Sequence, residues 1–205
     1  MVDTAAMTTL RPTSDLIDAT VVERVPDRGR DFTSFVADVE ASPRDRGVLR
    51  TIVRRPERDR REVVGEATLD LETGVVGDDW LARGSSTTPD GRANPDSQLT
   101  IMSVRVLAAV EPDASRWPLA GDNLLVDLDL SVANLPPGAR IQIGETELVI
   151  SETPHTGCAK FSGRFGGDAL RWINSPLGRD LRFRGVNARV VRGGLVRVGD
   201  VILTV

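Results

Sequence analysis

Short runs of β-branched and aliphatic residues, each cut off by Gly, Pro, Asn or Asp, recur from Val48 to the end of the chain, and this punctuation restricts it to a mostly β architecture. Val48–Arg54 and Glu62–Leu69 are two such runs, joined by the charged, proline-bearing turn Arg55-Pro56-Glu57-Arg58-Asp59-Arg60, and they read as a hairpin. Ala139–Thr153 reads as a second: Ile141 and Ile143 alternate with polar partners, Gly144-Glu145 turn, and Leu148 and Ile150 resume the alternation. Gln98–Met102 is a further strand, and Ala188–Val205 gives strands broken at Gly193-Gly194 and Gly199-Asp200. Helices are few. The spacing predicts Thr33–Ala41, capped by Thr33 or Ser34 with Phe35 and Val39 inward; Ser103–Val110 with Val104, Leu107 and Ala108 inward; Asp168–Asn174 with Leu170 and Ile173 inward; and a turn over Leu177–Asp180. Many short strands with few helices predict a β-barrel-like fold over residues 48–205, preceded by an N-terminal extension of residues 1–47.

The residue inventory narrows the function. One cysteine permits no internal disulfide, the segment from Met1 to Ala6 has no secretory character, and the longest apolar runs fall far short of the roughly 20 residues a membrane span needs. A cytoplasmic protein that does not enter membranes is expected. The basic residues are 25 arginines and one lysine, so a single arginine reads first as a solvated surface charge. The only histidine, cysteine and lysine are His155, Cys158 and Lys160, all inside Pro154-His155-Thr156-Gly157-Cys158-Ala159-Lys160-Phe161. Chance is a poor explanation for that clustering.

Charge is also segregated. From Lys160 onward nine basic residues, including Arg164 and Arg182, face three acids, which leaves −10 on the preceding 159 residues of a chain whose net charge is −4. A basic C-terminal part suits an anionic partner, because guanidinium groups hold phosphate with paired hydrogen bonds. Nucleic acid fits poorly: the acidic remainder repels a polyanion, and with 4% aromatic residues little is available to stack on bases. A small phosphorylated ligand fits better.

A thiol works as thiolate, favoured by nearby cations and N–H donors. Around Cys158, His155, Lys160 and Arg164 supply cationic neighbours, Thr156 a hydroxyl, and Gly157 the freedom for an unusual bend. Its polar surroundings set Cys158 apart from the buried, inert cysteine that a lone Cys more often is. One His and one Cys are too few for a protein-only zinc site, which takes about four ligands.

The residues Gly121-Asp122-Asn123-Leu124, Leu135-Pro136-Pro137-Gly138, Ile143-Gly144-Glu145-Thr146-Glu147-Leu148 and the cysteine segment, preceded by the Gly-Asp turn in Gly74-Val75-Val76-Gly77-Asp78-Asp79-Trp80, resemble in order the elements of MOSC domains, the C-terminal module of molybdenum cofactor sulfurases. The resemblance covers residues 48–205 and is strongest from Gly121 to Phe165. It implies a β-barrel-like fold whose cysteine carries sulfur as a persulfide or ligates molybdenum, with basic residues holding the phosphate of a molybdopterin-type cofactor. On that basis Cys158 is the catalytic and metal-binding group and Asp78 and Asn123 shape the cofactor pocket, while His155, Thr156, Gly157, Lys160, Arg164 and Arg182, singled out from the residues themselves, are expected around the cofactor. Many relatives carry a His-Gly-Gly element after the Gly-Asp turn, where this chain reads Thr88-Pro89-Asp90-Gly91-Arg92-Ala93-Asn94. It also lacks the pyridoxal-phosphate desulfurase domain of full sulfurases, so no pyridoxal phosphate is expected on it. A sulfur carrier or cofactor-binding domain working with a separate cysteine desulfurase or molybdoenzyme is expected first, a stand-alone molybdenum reductase of N-hydroxylated compounds second, and an interaction module with an inert cysteine third.

Overall fold

The structure, a computed structural model, describes residues 16–20, 25 and 29–205, so the segment read for secretory character lies outside the described residues. In chain order the elements are β1 (Ile17–Asp18), α1 (Thr33–Glu40), β2 (Arg46–Arg54), β3 (Arg60–Val64), β4 (Glu66–Asp70), β5 (Gly74–Val75), α2 (Trp80–Arg83), β6 (Leu99–Ser103), α3 (Val104–Val110), β7 (Leu124–Asp127), β8 (Arg140–Ile143), β9 (Thr146–Ile150), α4 (Ala159–Phe165), α5 (Gly167–Ile173), α6 (Pro176–Asp180), β10 (Val186–Arg192), β11 (Gly194–Arg197) and β12 (Val201–Thr204). Three-residue and seven-residue 3-10 helices at Pro95–Ser97 and Ala114–Ala120 precede β6 and β7.

Seven strands close into a barrel in the order β2, β12, β8, β9, β10, β6, β7, with β7 returning to β2. All neighbours are antiparallel except β6 and β7, which run parallel with Ile101 opposite Leu124 and are connected through α3 and the second 3-10 helix. Such a crossover is what a parallel pair requires. β3 hangs off the far half of β2, and β11, β4 and β5 form a small separate sheet.

Alternation explains the two cores. Ile52, Ile101, Leu124 and Val126 point into the barrel with Ile141, Ile143, Leu148, Ile150 and Ile202, while their neighbours Val53, Met102 and Leu125 point outward under the helices. There they meet Leu107, Phe161, Phe165, Ile173 and Phe183, so β6 and β7 are buried on both faces and read as continuous apolar runs. Trp172 lies between Phe32 and Phe183, with ring centroids 4.8 Å and 4.3 Å away, and ties α1 to this layer.

Several sequence expectations are corrected. The run Glu62–Leu69 is not one strand: the chain bends at Gly65, β3 pairs with β2 (Ile52 opposite Val64), and β4 leaves to pair with β11. Phe35 is 40% exposed and Phe32, at the N-cap of α1, is the buried ring; neither Thr33 nor Ser34 caps the helix, and the Thr33 amide and hydroxyl instead donate to the Asp31 carboxylate just before it. Ala108 is exposed and Ala109 faces inward, since α3 is buried over most of its circumference. In α5, Ala169 is fully buried and Leu170 only half-buried. Helices α2 and α4 were not foreseen.

Candidate functional site

The strand register gathers one rim of the barrel. Ile52 lies opposite Leu124, Leu124 opposite Ile101, Ile101 opposite Val186, and Ala188 opposite Ile150. The end of β2, the starts of β7 and β10, the middle of β6 and the end of β9 therefore meet there. Arg55, Asp122, Asn123, Thr100, Arg184, Asn187 and the cysteine segment all belong to this rim.

Arg55 is its keystone. Its Nε and Nη2 donate to the two oxygens of Asp78 at 2.8 and 3.0 Å, Nη2 also to Asn123 Oδ1 at 2.9 Å, and Nη1 to the Gly121 carbonyl at 3.1 Å. Asn123 Nδ2 returns to Asp78 at 2.9 Å, and Asn123 Oδ1 accepts from the Thr100 amide at 3.2 Å. Asp78 accepts in addition from the backbone amides of Arg55 and Trp80. Asp78 and Asn123, carried over from the family resemblance along with Cys158, thus meet in one saturated network that shapes the rim.

Beside it sits a second buried group. Asp122 is fully buried and its Oδ2 accepts from Arg184 Nη1 at 2.6 Å. Arg184 Nη2 donates to the Ala120 carbonyl at 3.1 Å, and the guanidinium lies over the Phe161 ring. The other carboxylate oxygen, Oδ1, faces His155 Nδ1 at 3.5 Å, and among the described residues neither atom has a hydrogen-bond partner. Burial pushes the Asp122 carboxyl above its ordinary value against the pull of Arg184. Burial, then repulsion from Arg184 and Arg55, holds His155 well below the usual imidazole value, so the ring is neutral at pH 7.

From His155 the chain runs through Thr156 and Gly157 to Cys158, which is exposed and immediately precedes α4. Gly157 does not adopt a left-handed conformation. It is required for a close approach: a Cβ there meets Ile173 Cδ1 at 2.6 Å and Leu170 Cδ1 at 2.7 Å. Asn174 locks this approach, with the Gly157 amide donating to Asn174 Oδ1 at 3.0 Å and Asn174 Nδ2 donating back to the Gly157 carbonyl at 3.2 Å. α5 therefore presses the segment flat and turns the thiol to solvent.

The cations singled out in the sequence are distributed differently from one another. Lys160 Nζ donates to Asp59 Oδ1 at 2.6 Å, which holds the Asp59 carboxyl below its usual value, and Arg164 Nη2 reaches the same oxygen at 3.3 Å. Arg164 is buried and also donates to the carbonyls of Leu119 and Ala19, so it clamps α4 to the rest of the molecule. Arg182, half-buried and in a left-handed conformation, donates to the Leu130 and Leu135 carbonyls. Among the C-terminal arginines, Arg179 and Arg182 share a cavity of about 500 Å³ with His155, Thr156, Asn174 and Asn187.

A hollow of about 330 Å³ is lined by Arg58, Arg61, Arg83, Lys160, Glu57 and Asp59. Arg61 is buried, its Nε has no partner, and its pKa falls to about 10 through burial and repulsion from Arg164 and Arg55. Arg83 also borders a third hollow with Arg55, Thr100 and Asn187, and Asn187 lines the 500 Å³ cavity too. The three concavities thus share residues, and Thr156 and Lys160, flanking Cys158 in sequence, line the 500 Å³ cavity and the 330 Å³ hollow respectively. Three of the four cations of the 330 Å³ hollow, Arg58, Arg61 and Arg83, come from the acidic part of the chain, and Lys160 from the basic one. Sequence reasoning missed Arg55, Arg61, Arg83 and Arg184, which nothing distinguishes among 25 arginines, and it passed over Asp122 although that residue sits inside a quoted motif.

A family model for the MOSC domain matches residues 88–203. No curated protein matches the chain. Among solved structures, the chain is similar to the YuaD protein of Bacillus subtilis (TM-score 0.53, 18% identity, covering 77% of this chain and 94% of that one). It is also similar to YiiM of Geobacillus stearothermophilus (0.53, 15%, 78% and 75%) and YiiM of Escherichia coli (0.50, 21%, 77% and 69%). At these identities the likeness speaks for the fold.

Proposed function

This chain belongs to the MOSC domain family, and from that premise we propose that it is a molybdenum-cofactor-related domain in which Cys158 carries sulfur or ligates molybdenum at the basic rim of the barrel. The observation that supports this most is the placement of the cysteine: exposed, in a segment pinned by Asn174, with its chain neighbours Thr156 and Lys160 lining a cavity and a cationic hollow respectively.

The residues present fit a molybdopterin-type cofactor. A buried guanidinium with an unpartnered Nε, at Arg61, is a donor awaiting an anion, and with Arg58, Arg83 and Lys160 around the same hollow it suits a phosphate. A soft thiolate such as that of Cys158 would suit molybdenum carried in by the cofactor. When bound, such a cofactor supplies molybdenum redox chemistry or takes up the sulfur. The chain's own part is electrostatic and positional. Arg61 and Lys160 hold the phosphate; Arg55, Asp78 and Asn123 keep the rim rigid; Thr156 and Gly157 present the thiol; Arg164 fixes the helix behind it; and Arg182 shapes the adjoining cavity. The working partners are a separate cysteine desulfurase or molybdoenzyme in the cytoplasm. The cavity of about 500 Å³ beside His155 also favours the second reading, a reductase in its own right, because it offers space for a small substrate.

The test is to produce the protein in a host that makes the cofactor, then measure bound molybdenum and cyanide-labile sulfur for the wild type and Cys158→Ser. Near-stoichiometric molybdenum or labile sulfur in the wild type, lost in an equally stable variant, is expected. Equal loading of both proteins removes Cys158 from the site.

A further inference from the structure

We propose that Asp122 and His155 form a carboxylate–imidazole pair in which Asp122 fixes the Nδ1–H tautomer and His155 Nε2 serves as the proton acceptor or donor of the 500 Å³ cavity. The inference goes beyond the proposed cysteine chemistry and stands whichever load Cys158 carries.

The geometry makes the case through what is left unpaired. Buried polar atoms almost always find a partner, yet among the described residues Asp122 Oδ1 and His155 Nδ1 have no hydrogen-bond partner and face each other at 3.5 Å. A small rotation of the ring closes that gap to a hydrogen bond, and separations of this kind commonly tighten once a site is filled. Asp122 cannot turn away: it is wholly buried, and Arg184 holds its other oxygen at 2.6 Å. A carboxylate that only accepts dictates that Nδ1 carries the proton, which leaves the Nε2 lone pair free. The imidazole side chain is 16% exposed while Nδ1 is buried, so the exposed edge of the ring is the one that borders the cavity. The charged groups around the pair are Arg184 and Arg55 on the barrel side and Glu152, Arg179, Asp180 and Arg182 along the cavity. The two rim arginines keep the ring neutral, which is the form that can accept a proton.

The cavity lining also carries the apolar side chains of Val132, Ile173 and Val186. An apolar wall with one neutral proton acceptor selects a small ring-sized molecule that presents an exchangeable O–H or N–H to Nε2. In the proton transfer the substrate heteroatom's bond to hydrogen breaks, the Nε2–H bond forms, and the resulting imidazolium is held by the Asp122 carboxylate until the proton is returned.

Because His155 is the only histidine, imidazole nitrogen correlation spectra report it without ambiguity. The expected result is a neutral Nδ1–H tautomer that is still present at the ordinary imidazole value, about pH 6.5, changing to Nε2–H in Asp122→Asn. If that variant does not fold, the wild-type spectrum alone decides. An Nε2–H tautomer in the wild type, or titration at the ordinary imidazole value, overturns the pair. The ligand class is read from carbethoxylation of the native protein by diethyl pyrocarbonate: phenol is expected to slow it several-fold and anisole, which lacks the exchangeable proton, is not. Equal effects of the two overturn the ligand class. Neither readout depends on molybdenum or sulfur loading, so these outcomes are separable from failure of the cysteine reading.

Discussion

Arg61 shows how a buried charge can report a missing partner. It is 7% exposed, and among the described residues no acid is bonded to it and its Nε donates to nothing. Removing such a charge relieves desolvation rather than breaking a pair, so Arg61→Met is expected to leave stability unchanged or to raise it by about 1 kcal/mol in denaturant unfolding while weakening retention of a phosphorylated ligand. A large loss of stability contradicts the assignment. Cys158 was legible in the sequence because it is the only one of its type and lies beside two other singletons; Arg61 was not, because composition makes every arginine look alike. Asp122 was hidden for another reason. Whether an acid after a glycine is exposed or wholly buried depends on strands far away in sequence, and here Arg184 decides it.

Among the elements, the segment between β9 and β10 does the positioning. Alternation made β8 and β9 readable, but it also ran unbroken through Gly65 and concealed the passage of the chain from one sheet to another. α4 was unreadable because it contains Gly163 and follows a segment whose shape is set by α5. Two glycines there are expected to behave differently. At Gly185, in the left-handed region, a Cβ meets the Ile101 carbonyl at 2.0 Å, so Gly185→Ala strains the β6–β10 pair and costs about 3 kcal/mol. At Gly157 the obstacles are the ends of the Ile173 and Leu170 side chains, and Gly157→Ala costs about 1 kcal/mol while lifting the cysteine segment off α5. Thermal unfolding ranks the two. A reversed order contradicts the packing described for this segment.

For the molecule as a whole, a mostly β fold was legible, but closure was not: β2 meets both β7 and β12, contacts that no local pattern announces. The same closure buries the His155 and Asp122 pair and so links stability to pH. His155 has a depressed folded pKa, so as pH falls below about 6.5 the unfolded chain takes up a proton that the native one refuses. Stability therefore declines on acidification, by at most about 1.4 kcal/mol per pH unit for this single proton. Asp122, with a raised folded pKa, acts in the opposite sense, since the native form binds a proton more readily than the unfolded chain as pH approaches 3.8. Denaturant titrations of wild type and His155→Gln between about pH 7 and pH 5 separate the two, and the variant is expected to lose the acid-side decline.

The measurement that bears most directly on the role of Cys158 is intact-mass analysis after native alkylation with iodoacetamide, because a single cysteine gives a single readable adduct. Protein isolated from a cofactor-producing host should yield either no adduct, the thiolate being held by metal, or an adduct with one additional sulfur atom, and after the load is stripped it should yield the plain adduct. The plain adduct in both states, or none in either, contradicts the account.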